Sequence, residues 1–367
     1  MKINLQSIAS RLIIGGVTAV LIPLIVVGYL SFSKAQSALL DLAQHQATGI
    51  ASDLARETRS ILKSEMRKAA SMASQKRIVS LAASVKSSGI DASGDLVEDV
   101  FKDIRNQFSR MGEHYQGIFI ADAKGMIYTG VLENGAMYKD IDIGNSDFFK
   151  RARQDGDVVI GEMTISKATG KPVTTACAAI KSATGEFLGV LGTAIKAEYF
   201  TRLISERKIG ESGYGYMTDK KGLVIAHPKS ELVLKLNGSS IKEMQTLNRR
   251  MQAGETGIEE YVFKGVPKIA GFAPVGINGW SIGATQNQDE FLAASHAIRN
   301  TNIIVTLVAG LVVGVIVFFS ARAIVRPINA AVAGLKDIAQ GEGDLTMRLE
   351  ATTRDEVGEL ARWFNTF

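Results

Sequence analysis

Residues 117–130 read GIFIADAKGMIYTG, and residues 215–228 read GYMTDKKGLVIAHP. Each is an apolar strand, an Asp-x-Lys-Gly turn and a second strand, with Asp122 matching Asp219 and Gly125 matching Gly222 at an offset of 97. Glycine in such a tight turn supplies the positive φ that other residues resist. The echo continues downstream. TGKPVTTACAAI, from 169, corresponds to FKGVPKIAGFAPV, from 263, and Leu188-Gly189 to Ile282-Gly283, at offsets of 95 and 94. Chance similarity of hairpins is the alternative, but so steady a spacing predicts two copies of one α+β unit.

Upstream of the first copy, from about Ser33 to Val85, there is no proline and only one glycine, Gly49. Leu39, Leu42, Ile50, Leu54, Ile61 and Leu62 recur among charges at spacings of three, four and seven, which predicts a helix. A helix of ~50 residues reaches ~75 Å. That length suits a stalk along the whole duplicated module better than an ordinary solvated surface helix.

Two uncharged runs of 22 residues flank all of this: LIIGGVTAVLIPLIVVGYLSFS between Arg11 and Lys34, and NTNIIVTLVAGLVVGVIVFFSA between Arg299 and Arg322. Each is long enough to cross a hydrocarbon core of about 30 Å. The first exceeds the usual apolar stretch of a signal peptide and lacks a clear small-x-small cleavage site, so it reads as an uncleaved anchor. Lys2 and Arg11 precede the first run, and Arg322 and Arg326 follow the second. The positive-inside tendency then puts both termini in the cytoplasm and exports Lys34 to Arg299, although those two residues are themselves basic.

Composition narrows the function. The 367 residues are 46% hydrophobic, and the net charge of +5 comes from 42 basic and 37 acidic residues mixed along the chain. No basic block or zinc-finger spacing points to nucleic acid. Cys177 is the only cysteine, so an exported segment would be held by its core and not by a disulfide.

The long helix followed by duplicated strand-turn-strand units resembles the double Cache sensor domains of bacterial transmembrane receptors. The resemblance implies an α+β fold with a long N-terminal helix and two PAS-like antiparallel-sheet modules. Its expected organisation is a cytoplasmic N-terminus at 1–11, a membrane helix at 12–33, and a periplasmic sensor at 34–299. Within the sensor, a stalk at 34–88 precedes a distal module at 90–200 and a proximal module at 205–290; a second membrane helix follows at 300–321. The distal module would hold a small molecule, and the proximal one would pass movement to the second membrane helix.

The last segment, 322–367, begins RAIVRPINAAVAGL. Ile328, Val332, Leu335 and Ile338 form one apolar stripe, Val357, Leu360 and Phe364 another, and GEGDLT lies between them. This resembles a HAMP domain, through Pro327 after the membrane helix, Gly343 and Asp344 in the connector, and Glu356 at the second helix start. Proline lacks a backbone donor and would loosen the helix into a joint. The stripes imply a parallel homodimer, since each needs partner helices to cover it. The chain stops at Phe367, inside the second helix. The phrasing is most similar to methyl-accepting chemotaxis receptors of the bacterial inner membrane, which implies an output domain that reaches a chemotaxis kinase and adaptor. A sensor histidine kinase or diguanylate cyclase could carry the same input half, and a membrane-anchored exported enzyme is the reading from a different class.

Catalytic signatures are lacking. There is no P-loop, dinucleotide glycine fingerprint, Gly-x-Ser-x-Gly elbow or His-Glu-x-x-His pair, and the four histidines, His45, His114, His227 and His296, are scattered. No enzyme, cofactor or metal is expected. Compared with amino-acid-binding double Cache domains, DIGNSDFFKRA at 142–152 places Ser146 where the carboxylate-binding arginine would stand, with Phe148 and Phe149 replacing tryptophan and tyrosine. GVLGTA at 189–194 places Ala194 where the ammonium-binding aspartate would stand. Burying a zwitterion without those partners costs roughly several kcal/mol for each ion. The expected ligand is therefore not an ordinary amino acid. Ser146, Phe148, Phe149, Thr164 and Ser166 are the candidate lining, with Lys139 or Lys171 as a counter-charge. Phe148 and Phe149 could equally be core, or one could serve each purpose.

Overall fold

The computed structural model describes residues 7–340, 348–350 and 354–366. Two compact units divide the chain: Leu40–Phe291, and Met1–Leu39 together with Leu292–Phe367.

The larger unit contains two antiparallel sheets. The distal sheet comprises β1 (Tyr115–Asp122), β2 (Met126–Leu132), β3 (Ile141–Asp142), β4 (Val158–Ile160), β5 (Thr164–Ile165), β6 (Pro172–Lys181) and β7 (Phe187–Lys196). Its order is β3-β2-β1-β7-β6-β4, and β5 also pairs with β6. The proximal sheet comprises β8 (Tyr214–Thr218), β9 (Val224–Ala226), β10 (Gly257–Phe263), β11 (Val266–Pro274) and β12 (Ser281–Asn287), in the order β10-β11-β12-β8-β9. Read from its other edge, the proximal order repeats β2-β1-β7-β6-β4, so the duplication extends from the turns to the topology.

The two opening hairpins share their chemistry. Asp122 Oδ1 accepts from the amides of Lys124 (2.9 Å) and Met126 (2.8 Å), while Asp219 Oδ1 accepts from Lys221 (2.8 Å) and Leu223 (2.8 Å). Such aspartate-closed turns need left-handed backbone three residues after the aspartate. Gly125 (φ 96°) and Gly222 (φ 78°) provide it.

Strand register corrects one sequence correspondence. Phe119 pairs with Gly192 across β1 and β7, and Tyr216 pairs with Gly283 across β8 and β12. The counterpart of Ile282-Gly283 is therefore Leu191-Gly192, not Leu188-Gly189. The strand FLGVLGTA carries two Leu-Gly pairs, and a slip of three residues would put the apolar set on the wrong face.

Helix α1 runs Ile8–Ala73 and α2 runs Lys76–Ser88, so the stalk is not one helix to residue 85 or 88. Gln75 is extended (φ −62°, ψ 133°) although no glycine or proline marks the break. Burial accounts for it: Ile78, Leu81, Ala82 and Val85 turn into the same core as Leu54, Leu62, Ala69 and the inward residues of both sheets, including Ile118, Leu191, Met217 and Ile282. Each such leucine, isoleucine, valine or methionine contributes about 1.5–3 kcal/mol when fully buried. Helices α3 (Gly94–Phe108) and α4 (Asp147–Asp155) pack with the distal sheet, α5 (Ala197–Ser205) leads into the proximal sheet, and α6 (Gln245–Gln252) covers the latter.

In the smaller unit, the start of α1 and helix α7 (Gln288–Ala339) carry apolar windows of mean hydropathy 2.4 and 2.9 whose side chains are not buried, and both are long enough to cross a membrane. They pack antiparallel. Gly16 faces Val317, Gly310 faces Leu21, and Asn302 Nδ2 donates to the Gly28 carbonyl at 3.3 Å. Small residues permit that close approach. Helix α7 continues through Pro327. Helix α8 (Glu356–Thr366) begins with Asp355 Oδ1 accepting from the Gly358 amide at 3.0 Å, which makes Asp355 its cap and Glu356 its first residue. Asn365 clasps Leu349, accepting from its amide at 2.6 Å and donating to its carbonyl at 2.7 Å. Gly343 and Asp344 lie outside the described residues.

Candidate functional site

A cavity of about 410 Å³ opens on the distal sheet, on the face turned away from the stalk. Its floor is Val173 and Thr175 of β6 and Ala194 of β7; alternation along a strand points these residues to one face. Phe119 of β1 lies over Gly192, where an added Cβ would fall 2.2 Å from the Phe119 ring. Phe119 meets Tyr138 edge-on at 5.3 Å between ring centres and Phe148 at 6.3 Å, forming an aromatic wall.

Ser146 caps α4 from an extended conformation, and its side chain makes no capping hydrogen bond. Its hydroxyl therefore stays available at the cavity, with Asn145 before it and Asp147 after. Along the helix, successive positions diverge by about 100°. Phe148 lines the cavity, whereas Phe149 is buried against Phe187, 6.2 Å between ring centres. Thr164 and Ser166 also line it, the first exposed and the second buried. Burial pushes the Tyr138 phenol above its ordinary range, and the neighbouring Ser166 hydroxyl opposes that shift.

Lys139 and Lys171 do not line the cavity. Lys139 pairs with Asp140 at 3.7 Å, and Lys171 with Glu133 at 3.4 Å, a carboxylate that Lys196 also holds at 2.6 Å. The cation at the cavity is Lys167, whose Nζ donates to the Asp142 carbonyl at 2.7 Å. Sequence reasoning also missed Phe119, Tyr138, Asp147, Glu162 and Thr175. Asp147 stood in the quoted DIGNSDFFKRA run, and Phe119 lay in the opening hairpin at an alternating position that could have flagged it.

Both cavity carboxylates are already occupied. Asp147 accepts from the Glu162 amide at 3.2 Å and from Arg151 Nη1 at 3.3 Å. Glu162 pairs with Lys220 at 2.8 Å, and that hydrogen bond brings its carboxyl below the ordinary range while raising the lysine. Lys220 belongs to the proximal module. Asn278, from the β11–β12 turn, donates to the carbonyls of Ile160 and Gly161, each at 2.8 Å, and accepts from Arg151 at 3.1 Å. Glu162 thus forms part of the cavity wall, while Ile160 and Gly161 just before it are bound to the proximal module.

The Cache domain family profile matches residues 33–295. The chain belongs to the Cache domain family. A HAMP domain profile matches residues 319–367. Among curated proteins, methyl-accepting chemotaxis protein PscA of Pseudomonas syringae pv. tomato is 27% identical over 258 residues, 70% of this chain and 40% of PscA. McpA of Pseudomonas putida, also a methyl-accepting chemotaxis protein, is 30% identical over 224 residues, 60% of this chain and 34% of McpA. The Cache chain thus spans about two-fifths of these relatives' length. Among solved structures, the extracellular domain of the putative histidine kinase mmHK1S-Z2 superposes with a TM-score of 0.55 at 16% identity, covering 68% of this chain and 99% of that domain. The sensory domain of the Campylobacter jejuni chemoreceptor Tlp3 gives 0.52 at 14%, covering 71% and 99%. At these identities the superpositions establish the shared Cache fold.

Proposed function

We propose that this Cache chain is the input half of a methyl-accepting chemotaxis receptor. It is anchored in the bacterial inner membrane by the two apolar helices, with residues 34–299 in the periplasm, and works as a homodimer. Its output domain would reach a chemotaxis kinase and adaptor. The observation that carries the reading is the distal cavity, whose wall residue Glu162 is held by Lys220 and whose preceding residues Ile160 and Gly161 are held by Asn278, both from the proximal module. A ligand touching that wall changes the strain on the segment, and the hydrogen bonds hand the change to the sheet that leads into α7. Such coupling needs differential contacts between the empty and filled states. The cavity's position supplies a way to make them.

The ligand is a small, weakly charged or anionic metabolite with a flat or apolar part, and not an ordinary amino acid; Lys167 is the cation that would meet an anionic group. Ser146 and Ala194 offer no counter-ion, and Asp147 and Glu162 are neutralised by Arg151 and Lys220. Phe119, Tyr138 and Phe148 supply apolar area, with hydroxyls from Ser146, Thr164, Ser166 and Thr175 for orientation.

The test is a melting screen of residues 33–300 against organic acids, amines, purines and the twenty amino acids. A ligand at a hundredfold excess over Kd stabilises the native state by about 2.7 kcal/mol. One metabolite class should raise the melting point, amino acids should not, and Ser146→Ala with Phe148→Ala should remove the response. A strong shift with an amino acid refutes the ligand assignment; a shift that survives both substitutions refutes the site.

A further inference from the structure

We propose that the cavity at the end of the second apolar run is a built site for the phosphate of an anionic phospholipid from the bilayer that holds the chain. The inference rests on the membrane-spanning reading above. The cavity measures about 580 Å³ and is lined on α7 by Phe319, Arg322, Arg326 and Ala330, with Arg348 and Leu349 opposite and Glu350 on its border. Three guanidiniums outnumber one carboxylate there. Arg348 has a partner of its own, whereas Arg322 and Arg326 have none among the described residues. Two cations four residues apart on a helix repel each other. An anion between them removes that cost, and guanidinium presents a fork matched to phosphate oxygens.

Placement selects the anion. Arg322 is the first charge after the uncharged run that ends at Ala321, so it stands where hydrocarbon gives way to headgroups. Below it, toward the apolar run, Phe319 is 64% exposed and can lie along a glycerol backbone or acyl chain. Free phosphate could use the arginines but not Phe319 or Leu349. Spacings of three and four put residues 319, 322, 326 and 330 on one helix face. The stripe of Ile328, Val332 and Leu335 centres on the opposite face, about 180° away at 100° per residue. Val332 (57%) and Leu335 (54%) are exposed in the single chain. Partner helices that cover this stripe therefore leave the arginine face open to lipid.

The experiment is native mass spectrometry of the full 367-residue chain, released from micelles containing phosphatidylglycerol or phosphatidylcholine. Phosphatidylglycerol should be retained in preference, and excess inorganic phosphate should not displace it. Arg322→Gln with Arg326→Gln should lower the retained fraction about tenfold, by loss of the attraction near each arginine. Arg322→Lys with Arg326→Lys should keep most of it, which guards against loss through misfolding. Lys336→Gln, further along α7 and off the cavity's face, should change nothing. Equal retention of phosphatidylcholine, equal loss in Lys336→Gln, or displacement by phosphate would overturn the proposal. Carbonate extraction of the same variants reports the membrane-spanning reading separately: a chain washed off the membrane refutes that reading, and one that stays while losing selective lipid retention refutes only the lipid site.

Discussion

The distal and proximal modules have the same strand order, yet the cavity described above lies on the distal one, and the matching place in the proximal one is packed with side chains. The difference lies at one sheet edge. In the proximal sheet β10 runs unbroken from Gly257 to Phe263, and Tyr261 reaches across to Thr285, hydroxyl to hydroxyl at 2.8 Å. In the distal sheet the equivalent edge stops at Ile160 and resumes at Thr164. The interruption removes the filling side chain and brings Glu162 and Thr164 to the cavity. Strand pairing matches Ala194 with Thr285 and Cys177 with Phe272. The distal member of each pair is the smaller. Phe272, Met251 and Leu247 pack where the proximal module could otherwise have opened. Under the proposed function the duplicated unit divides its tasks: the distal copy, with its cavity, takes the ligand, and the proximal copy, filled by Phe272, Met251 and Leu247, passes movement on.

The solid copy should be the more easily broken. Gly271 of β11 lies against α1, where an added Cβ would fall 2.2 Å from the Ala47 carbonyl carbon, and backbone cannot yield as a side-chain tip can. Gly271→Ala should cost about 3 kcal/mol or more, read as a large fall in melting temperature. The corresponding distal residue by strand register is already alanine, Ala176, so the comparison predicts tolerance there and intolerance here.

A smaller effect is expected where the modules join. Asn278 sits at φ 55°, which glycine also adopts, so Asn278→Gly removes its hydrogen bonds to Ile160 and Gly161 without backbone strain. It should lower stability by about 1–2 kcal/mol and weaken ligand response without touching the ligand. Unchanged response in a melting titration would mean that segment 160–162 is not held through Asn278.

The smallest effect is one of pH. Partial burial pushes the Glu290 carboxyl upward, but hydrogen bonds from the Ser212 hydroxyl and the Glu211 and Ser212 amides outweigh it and bring it down to about 2. A depressed carboxyl stabilises the fold fully above its unfolded value and loses that contribution as pH falls through the folded one. The window therefore runs from about 4.5 down to about 2. Melting of wild type against Glu290→Gln should show a difference near neutrality that shrinks across this window.

Much of the architecture was legible because it rests on local chemistry. The Asp122 and Asp219 turns, the apolar runs and the stripes of the last segment are all short-range patterns. The break at Gln75 was not, because tertiary burial of Ile78 and Leu81 decides it and no residue there disfavours helix. In the site, Ser146, Phe148, Thr164 and Ser166 converge on the cavity. Phe149 faces the core, and Lys139 and Lys171 are taken by nearby carboxylates. Nothing local in the sequence says which way each member of a Phe-Phe pair will face, or that Lys167 reaches Asp142. Asn278 was invisible for the same reason, since its partners lie more than a hundred residues away.

The division between a hollow and a solid module is tested most directly by altering each in turn. With the compound that the melting screen returns, Ala194→Leu places a larger side chain in the distal cavity, while Thr285→Val removes only the Tyr261 hydrogen bond from the proximal sheet. Isothermal titration should find binding abolished in Ala194→Leu and retained within about threefold in Thr285→Val, where no ligand-bearing surface is altered. Binding that survives Ala194→Leu but is lost in Thr285→Val would put the ligand in the proximal module and contradict the account.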